Sequence, residues 1–349
     1  MPAKLRPLIL AAVVVLLVGA VVAVVLIGED TDPADTDPAD TDPADTDPAD
    51  IDPNDENDEP EEPAFAPLTG EQIDDPIERP VIATKVENSP QARPQAGLQD
   101  ADIVFELLTE GGITRFLALH HRQLPDEIGP IRSARLSDLD LAPAYEPVLA
   151  ISGARPEVLS ALTDRVEVVT ETGPPRFSRR DDRPAPHDLY VRPGELLEAG
   201  DLPPPPVEPV WEFSDRAPPG GRPVSDLTVT LSPVSETGWT YDGDQGTYAR
   251  LQDGEPHEVE GPGRIGATNV VIMGAEVEPL EDDLVSITLI GEGPAIVLRD
   301  GQRYDGRWTK PDAATHLALR DHDGEVLPLK PGPTWVVVPP VENVPQVDS

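Results

Sequence analysis

The chain has 349 residues, 66 of them acidic and 26 basic, for a formal net charge of −40. So acidic a balance argues against nucleic acid and anionic lipid surfaces as partners of the whole protein. Cysteine is absent, which removes disulfides, thiolate metal sites and a cysteine nucleophile.

Residues 8–27 carry no charged side chain and follow Lys4 and Arg6. At ~1.5 Å per residue such a helix spans about 30 Å, the thickness of the hydrocarbon core of a bilayer. The basic residues stay on the cytoplasmic side, so the rest of the chain is expected outside the cytoplasm. The apolar region of a cleaved signal peptide is shorter, about 7–15 residues. Residues 1–28 are therefore expected to be a retained signal anchor, a single transmembrane helix whose partner is the cytoplasmic membrane.

Thr31-Asp32-Pro33-Ala34-Asp35 then repeats four times, to Asp50. Regular proline blocks helix and like charges repel, so residues 29–79 are expected to form an extended, disordered stalk. Calcium binding by its aspartates lacks the glycine turn and closing bidentate glutamate of a calcium loop, and no metal site is expected.

Residues 80–202 are expected to form a mixed α/β domain. A strand at 80–86 and a proline-marked loop at 91–99 carrying Arg93 come first. Apolar runs at 103–108 and 113–119 flank Gly111-Gly112, the pattern of a hairpin. A helix-like stretch at 136–142 leads to a strand at 148–152, a helix at 155–162 and a strand at 166–170, the alternation of layered α and β structure. Residues 172–186 gather Arg176, Arg179, Arg180 and Arg183 and end at His187. A proline-rich linker covers 203–222. Residues 223–340 present short strands at 227–231, 246–251, 269–272, 285–290, 295–298 and 334–338, a smaller, mainly β domain, with a tail at 341–349. The fold class expected is α+β.

The chemistry concentrates around the hairpin. Arg115 falls inside the second strand, where a charge needs a partner, and Glu106 and Glu110 are the nearest carboxylates. Arg132, Ser133 and Arg135 follow the Gly129-Pro130 turn. Guanidinium forks suit phosphate and carboxylate, so the candidate ligand-binding set is Arg93, Glu106, Glu110, Arg115, Arg132, Ser133, Arg135 and His187. The reading favoured is an extracytoplasmic envelope protein that binds an anionic or polar cell-wall component at an arginine-lined cleft, and not an enzyme. Two alternatives stand beside it: a glycan- or peptide-cleaving hydrolase with Glu106 and Glu110 as acid and base, and a scaffold whose polar residues only neutralise one another. Adjacent His120 and His121 would point to opposite faces of a strand and cannot chelate. No phosphate loop, dinucleotide fingerprint or nucleophile elbow occurs, so no cofactor is expected and no catalytic residue is named.

Several of these stretches carry a resemblance: Asn88–Leu98 in Asn-Ser-Pro-Gln-Ala-Arg-Pro-Gln-Ala-Gly-Leu, Ala-Asp-Ile-Val-Phe-Glu ending at Glu106, Glu-Gly-Gly-Ile-Thr-Arg-Phe ending at Phe116, Ile-Gly-Pro-Ile-Arg-Ser-Ala-Arg ending at Arg135, and Ala-Pro-His-Asp-Leu-Tyr ending at Tyr190. Together with Tyr248-Ala249-Arg250, His257 and Thr268–Ile272 they resemble the YerB family, bacterial proteins described as lipoproteins, whose two domains have no assigned function. The resemblance spans roughly residues 80–340 and implies a two-part extracytoplasmic protein with no established reaction. The missing cysteine departs from the lipoprotein pattern.

Overall fold

A computed structural model describes residues 63–346, apart from 174–175, 199–201, 262 and 282–283. The anchor expected at 8–27 and the repeats at 31–50 lie outside the described residues. Among those described, no helix is long and apolar enough to cross a membrane. Residues 63–79, expected within the stalk, carry structure of their own. Ala64–Phe65 pairs antiparallel with Gln72–Ile73, and Ala66 and Leu68 between them are buried. The run Ala-Phe-Ala-Pro-Leu has the apolar side chains that the acidic repeats lack, so charge alone overstated the stalk.

The mixed α/β layering expected for residues 80–202, and with it the α+β class, is overturned. Strand and bridge account for 41% of the structure and helix for 12%, so the protein is mainly β. Twelve strands carry the description: β1 (Ile82–Glu87), β2 (Ile103–Leu108), β3 (Thr114–His120), β4 (Val148–Ile151), β5 (Glu167–Thr170), β6 (Asp226–Ser232), β7 (Ser235–Asp242), β8 (Thr247–Gln252), β9 (Asn269–Met273), β10 (Gly291–Arg299), β11 (Gln302–Lys310) and β12 (Thr334–Val338). The α-helices described are short: α1 (Asp138–Leu141), α2 (Pro156–Thr163) and α3 (Pro193–Leu196). β4, α2 and β5 do form the expected strand–helix–strand unit, with the two strands parallel. Elsewhere β-branched runs favour strand, and prolines such as Pro125, Pro130, Pro143, Pro184 and Pro186 interrupt the stretches between them.

An 11-stranded sheet joins the two halves of the chain. Its order is Arg222–Pro223, β11, β10, β9, β12, β2, β3, β1, β4, β5, with Ala318–Arg320 also on β11. β12, near the C-terminus, lies parallel to both β9 and β2. Every residue of β1, β2, β3 and β12 is buried, because both faces of this part of the sheet are covered. Burying each valine of Val336–Val338 contributes roughly 1.5–3 kcal/mol.

A second sheet of β6, β7 and β8, with Glu255–Pro256 and Gly266–Ala267 beside β8, covers one face. Trp239 of β7 meets Trp335 of β12 edge-on with ring centroids 5.5 Å apart. The other face carries Phe105, whose ring lies 6.1 Å from that of Tyr145, together with α1 and α2. Register decides which charges face which side. Glu106 stands opposite Phe116, and Leu107 opposite Arg115, so Glu106 and Arg115 project from opposite faces.

Candidate functional site

β1, β2 and β4 all run in the same direction, and their carboxyl ends lie at one edge of the sheet. The segment after Gly129 crosses there: Arg132 N donates to Lys85 O at 2.8 Å, Ser152 N to Arg132 O at 3.1 Å, and Ala134 N to Gly153 O at 2.9 Å. These bonds place Arg132, Ser133 and Arg135 over the ends of β1 and β4, beside Arg115 at the start of β3. The crevice beyond the carboxyl ends of strands is where open sheets commonly hold ligands.

Six of the eight expected site residues meet here: Glu110, Arg115, Arg132, Ser133, Arg135 and His187. Arg135 holds Glu110 side-on, with Nε 2.5 Å from Oε1 and Nη2 2.9 Å from Oε2. Its Nη1 donates to the carbonyls of Ala134 at 2.9 Å and Ser133 at 3.2 Å. Arg115 Nη1 donates to the same Ser133 carbonyl at 2.9 Å. Burial alone would push the Glu110 carboxyl up, but the Arg135 fork, with the Arg115 charge behind it, holds it below the ordinary glutamate value. Burial and then the like charge of Arg135 bring Arg115 down to about 10 despite Glu110.

Glu87, the last residue of β1, is the member that sequence reasoning missed. It is buried opposite Arg115. Its Oε2 accepts from His187 Nδ1 at 2.9 Å and lies 3.3 Å from Arg132 Nε, while Oε1 accepts from Ser89 Oγ at 2.7 Å. A signal existed: Lys85 and Glu87, two residues apart in an apolar strand, must share one face. Lys85 turns to Asp138 of α1 at 2.6 Å, both fully buried, and Asp138 also accepts from the Arg135 main chain at 2.7 Å. Ser133 Oγ lies 3.1 Å from Ser152 Oγ.

The arginine-rich segment that precedes His187 is tied down from the other half of the chain. Arg180 and Arg183 each reach Glu260 at 2.6 Å, and Arg179 pairs with Asp188 at 2.7 Å. This local positive cluster is thus largely matched by carboxylates, and it serves to hold His187 over Glu87.

The other two expected residues belong elsewhere. Glu106 is fully buried on the opposite face, where Arg250 Nη2 donates to both its oxygens at 2.7 and 2.8 Å and Trp335 Nε1 donates at 3.2 Å. Arg250 lies over the Trp335 ring at 4.9 Å and contacts His257 Nδ1; His257 Nε2 in turn lies 2.9 Å from Gln95 Oε1. Arg93 joins this network through Asn88 Oδ1 at 3.1 Å and Asp253 Oδ2 at 3.1 Å. It is an interior clamp between the halves, with β2 between Glu106 and the cluster around Glu110. Among the described residues no group of three or more metal-ligating side chains occurs.

Residues 68–202 match the family described as a protein of unknown function, the DUF3048 N-terminal domain, and residues 227–336 match the DUF3048 C-terminal domain. YerB of Bacillus subtilis (strain 168), a lipoprotein by name, is 29% identical over 290 residues, covering 79% of this chain and 86% of its own length. The crystal structure of YerB from Bacillus subtilis superposes with a TM-score of 0.71 at 27% identity, covering 79% of this chain and 96% of that one. The chain belongs to the YerB-like family, built from the N- and C-terminal DUF3048 domains.

Proposed function

We propose that this chain is a membrane-associated, extracytoplasmic protein of the cell envelope that holds an anionic ligand at the carboxyl ends of β1, β2 and β4. One observation carries the reading. Three guanidiniums, of Arg115, Arg132 and Arg135, share two carboxylates, of Glu87 and Glu110, while Lys85 and Asp138 balance each other. A locally positive site in a chain of net charge −40 favours an anion. Arg132 is the freest donor, its side chain 26% exposed against 7% for Arg115, and its approaches to Glu87 and to the Pro186 carbonyl are long, 3.3 and 3.4 Å. Envelope polymers offer phosphate and carboxylate as the accessible anions.

The location draws support from the lipoprotein name of the relative. Residues 8–27 supply the membrane attachment that a cysteine-bound lipid supplies in a lipoprotein. The hydrolase reading loses its acid and base, because Glu106 and Glu110 lie on opposite sides of β2 and Glu106 is clamped by Arg250.

The test is equilibrium binding of the full chain, in detergent, to purified anionic wall polymer, with and without Arg132→Gln. Loss of one charged hydrogen bond weakens binding by about 1.5–3 kcal/mol, roughly ten- to a hundredfold, while the melting temperature holds. Unchanged affinity in the variant removes Arg132 from the site.

A further inference from the structure

The Arg115 side chain is more than nine-tenths buried, yet its Nε meets no acceptor and its Nη2 stands 3.8 Å from Glu110 Oε2, beyond hydrogen-bond reach. Two cations are fixed at this point. Arg115 and Arg135 each commit Nη1 to the Ser133 carbonyl. Four donor groups are left, Nε and Nη2 of each arginine, and Glu110 satisfies the two of Arg135. An ionised carboxylate has about four acceptor sites on its two oxygens, so one carboxylate seated between the guanidiniums would satisfy all four.

Glu110 does not take that seat here: both its oxygens are held by Arg135, and Arg115 Nη2 stays 3.8 Å away. Glu110 opens the turn after β2, and the next residue, Gly111, has φ +72° with open space where a Cβ would stand. The cations are anchored in the sheet and its crossing segment, whereas this carboxylate rides on a turn with room beside it.

We propose that Glu110 is an internal stand-in for the ligand, which presents a free carboxylate that displaces Glu110 from Arg135 and supplies the acceptor Arg115 lacks. This rests on the reading of the arginine cluster as an anion site, and names the class of anion. It also makes Glu110 a built-in competitor: the ligand binds against it, and the resting protein keeps a low affinity.

The experiment is calorimetric titration of the full chain in detergent, wild type and Glu110→Gln, with three probes: N-acetyl-dialanine, its C-terminal amide and inorganic phosphate. The acid binds Glu110→Gln at least tenfold more tightly than wild type, the amide does not bind, and phosphate gains less than the acid does. Adding Arg135→Gln to the variant abolishes the gain. A phosphate gain equal to or larger than that of the acid overturns the carboxylate class and leaves the anion site standing. Equal affinity of the acid for wild type and variant, lost with Arg132→Gln, overturns the competitor role while the anion site again stands. No binding by any probe to any form overturns both. If Glu110→Gln does not fold, wild type decides: the Arg135 Nε–H resonance shifts under excess acid but not under excess amide, and its failure to shift overturns the proposal.

Discussion

Glu106 and Glu110 are four residues apart in a stretch that looks like one strand, yet one is an interior clamp and the other a turn residue facing a half-exposed cluster. β2 ends at Leu108, so the chain has already turned when it reaches Glu110, and period-2 reasoning across the break fails. The two carboxylates therefore answer differently to mutation. Glu106→Gln leaves Arg250 buried without its counter-charge and is expected to cost about 3–5 kcal/mol in urea unfolding. Arg132→Gln, removing a partly exposed pair, is expected to cost within about 1 kcal/mol. A mild Glu106→Gln would mean that Arg250 finds another partner. Buried imidazoles supply a pH prediction at the same scale. Burial brings His120 and His121 down to about 4, and burial with the Arg250 charge puts His257 well below its ordinary value. In the unfolded chain histidines titrate near ~6.5, so their contribution is complete above that pH and drains away as pH falls toward 4. Asp102, raised by burial to about 6, works the other way, its protonation favouring the fold below 6. Burial also lowers His316 and raises Asp100 and Asp140, so four imidazoles oppose three carboxyls and stability falls between pH 6.5 and 4.5. The check is urea melts in salt, which screens the acidic self-repulsion; a flat profile would show that these imidazoles charge inside the fold.

At the scale of elements, the sequence was most legible where a strand is apolar and local. Residues 103–108 were expected as a strand and form β2 with those bounds, and Gly111 and Gly112 do take positive φ at the reversal. The strand at 334–338 and the β4–α2–β5 unit were also legible. β7 and β11 were not, because Ser-Glu-Thr-Gly-Trp-Thr-Tyr-Asp and Gln-Arg-Tyr-Asp-Gly-Arg-Trp-Thr-Lys contain no apolar run. Each is made a strand by the hydrogen bonds of its neighbours, and half-exposed ladders leave little mark on composition. In β11, Gly306 admits the carbonyl of Arg320 where a Cβ would stand. Gly306→Ala is expected to push Ala318–Arg320 off this edge and cost on the order of 1–3 kcal/mol. Hydrogen exchange would show it as faster loss of protection at Leu319, which pairs with Trp308; unchanged protection would mean that the edge strand shifts without detaching. The arginine cluster was visible as residue types, while its assembly was not, since Glu87 enters through strand register and His187 through the Arg180 and Arg183 contacts with Glu260.

For the molecule as a whole, β12 is the strand that cannot be lifted out. It sits between β9 of the C-terminal half and β2 of the N-terminal half, parallel to both, and the Glu106–Arg250 clamp lies against it through Trp335. No local pattern in residues 334–338 announces a partner so distant, which is why this junction was illegible. A chain shortened to end at residue 222 would expose the whole edge of β2 and lose the cover of Glu106. It is expected to show no cooperative thermal transition by circular dichroism, and a sharp one would mean that the N-terminal half folds alone. The position of β12 also bears on how the protein is made. Trp335 is 229 residues beyond Glu106, and at about 5–20 residues per second the ribosome needs roughly 10–45 s to cover that interval. Throughout it β2 has no strand on that side and the sheet cannot close. A nascent chain exported as proposed above would thus stay slack enough to be threaded across a membrane, and β12 would complete the sheet on the far side.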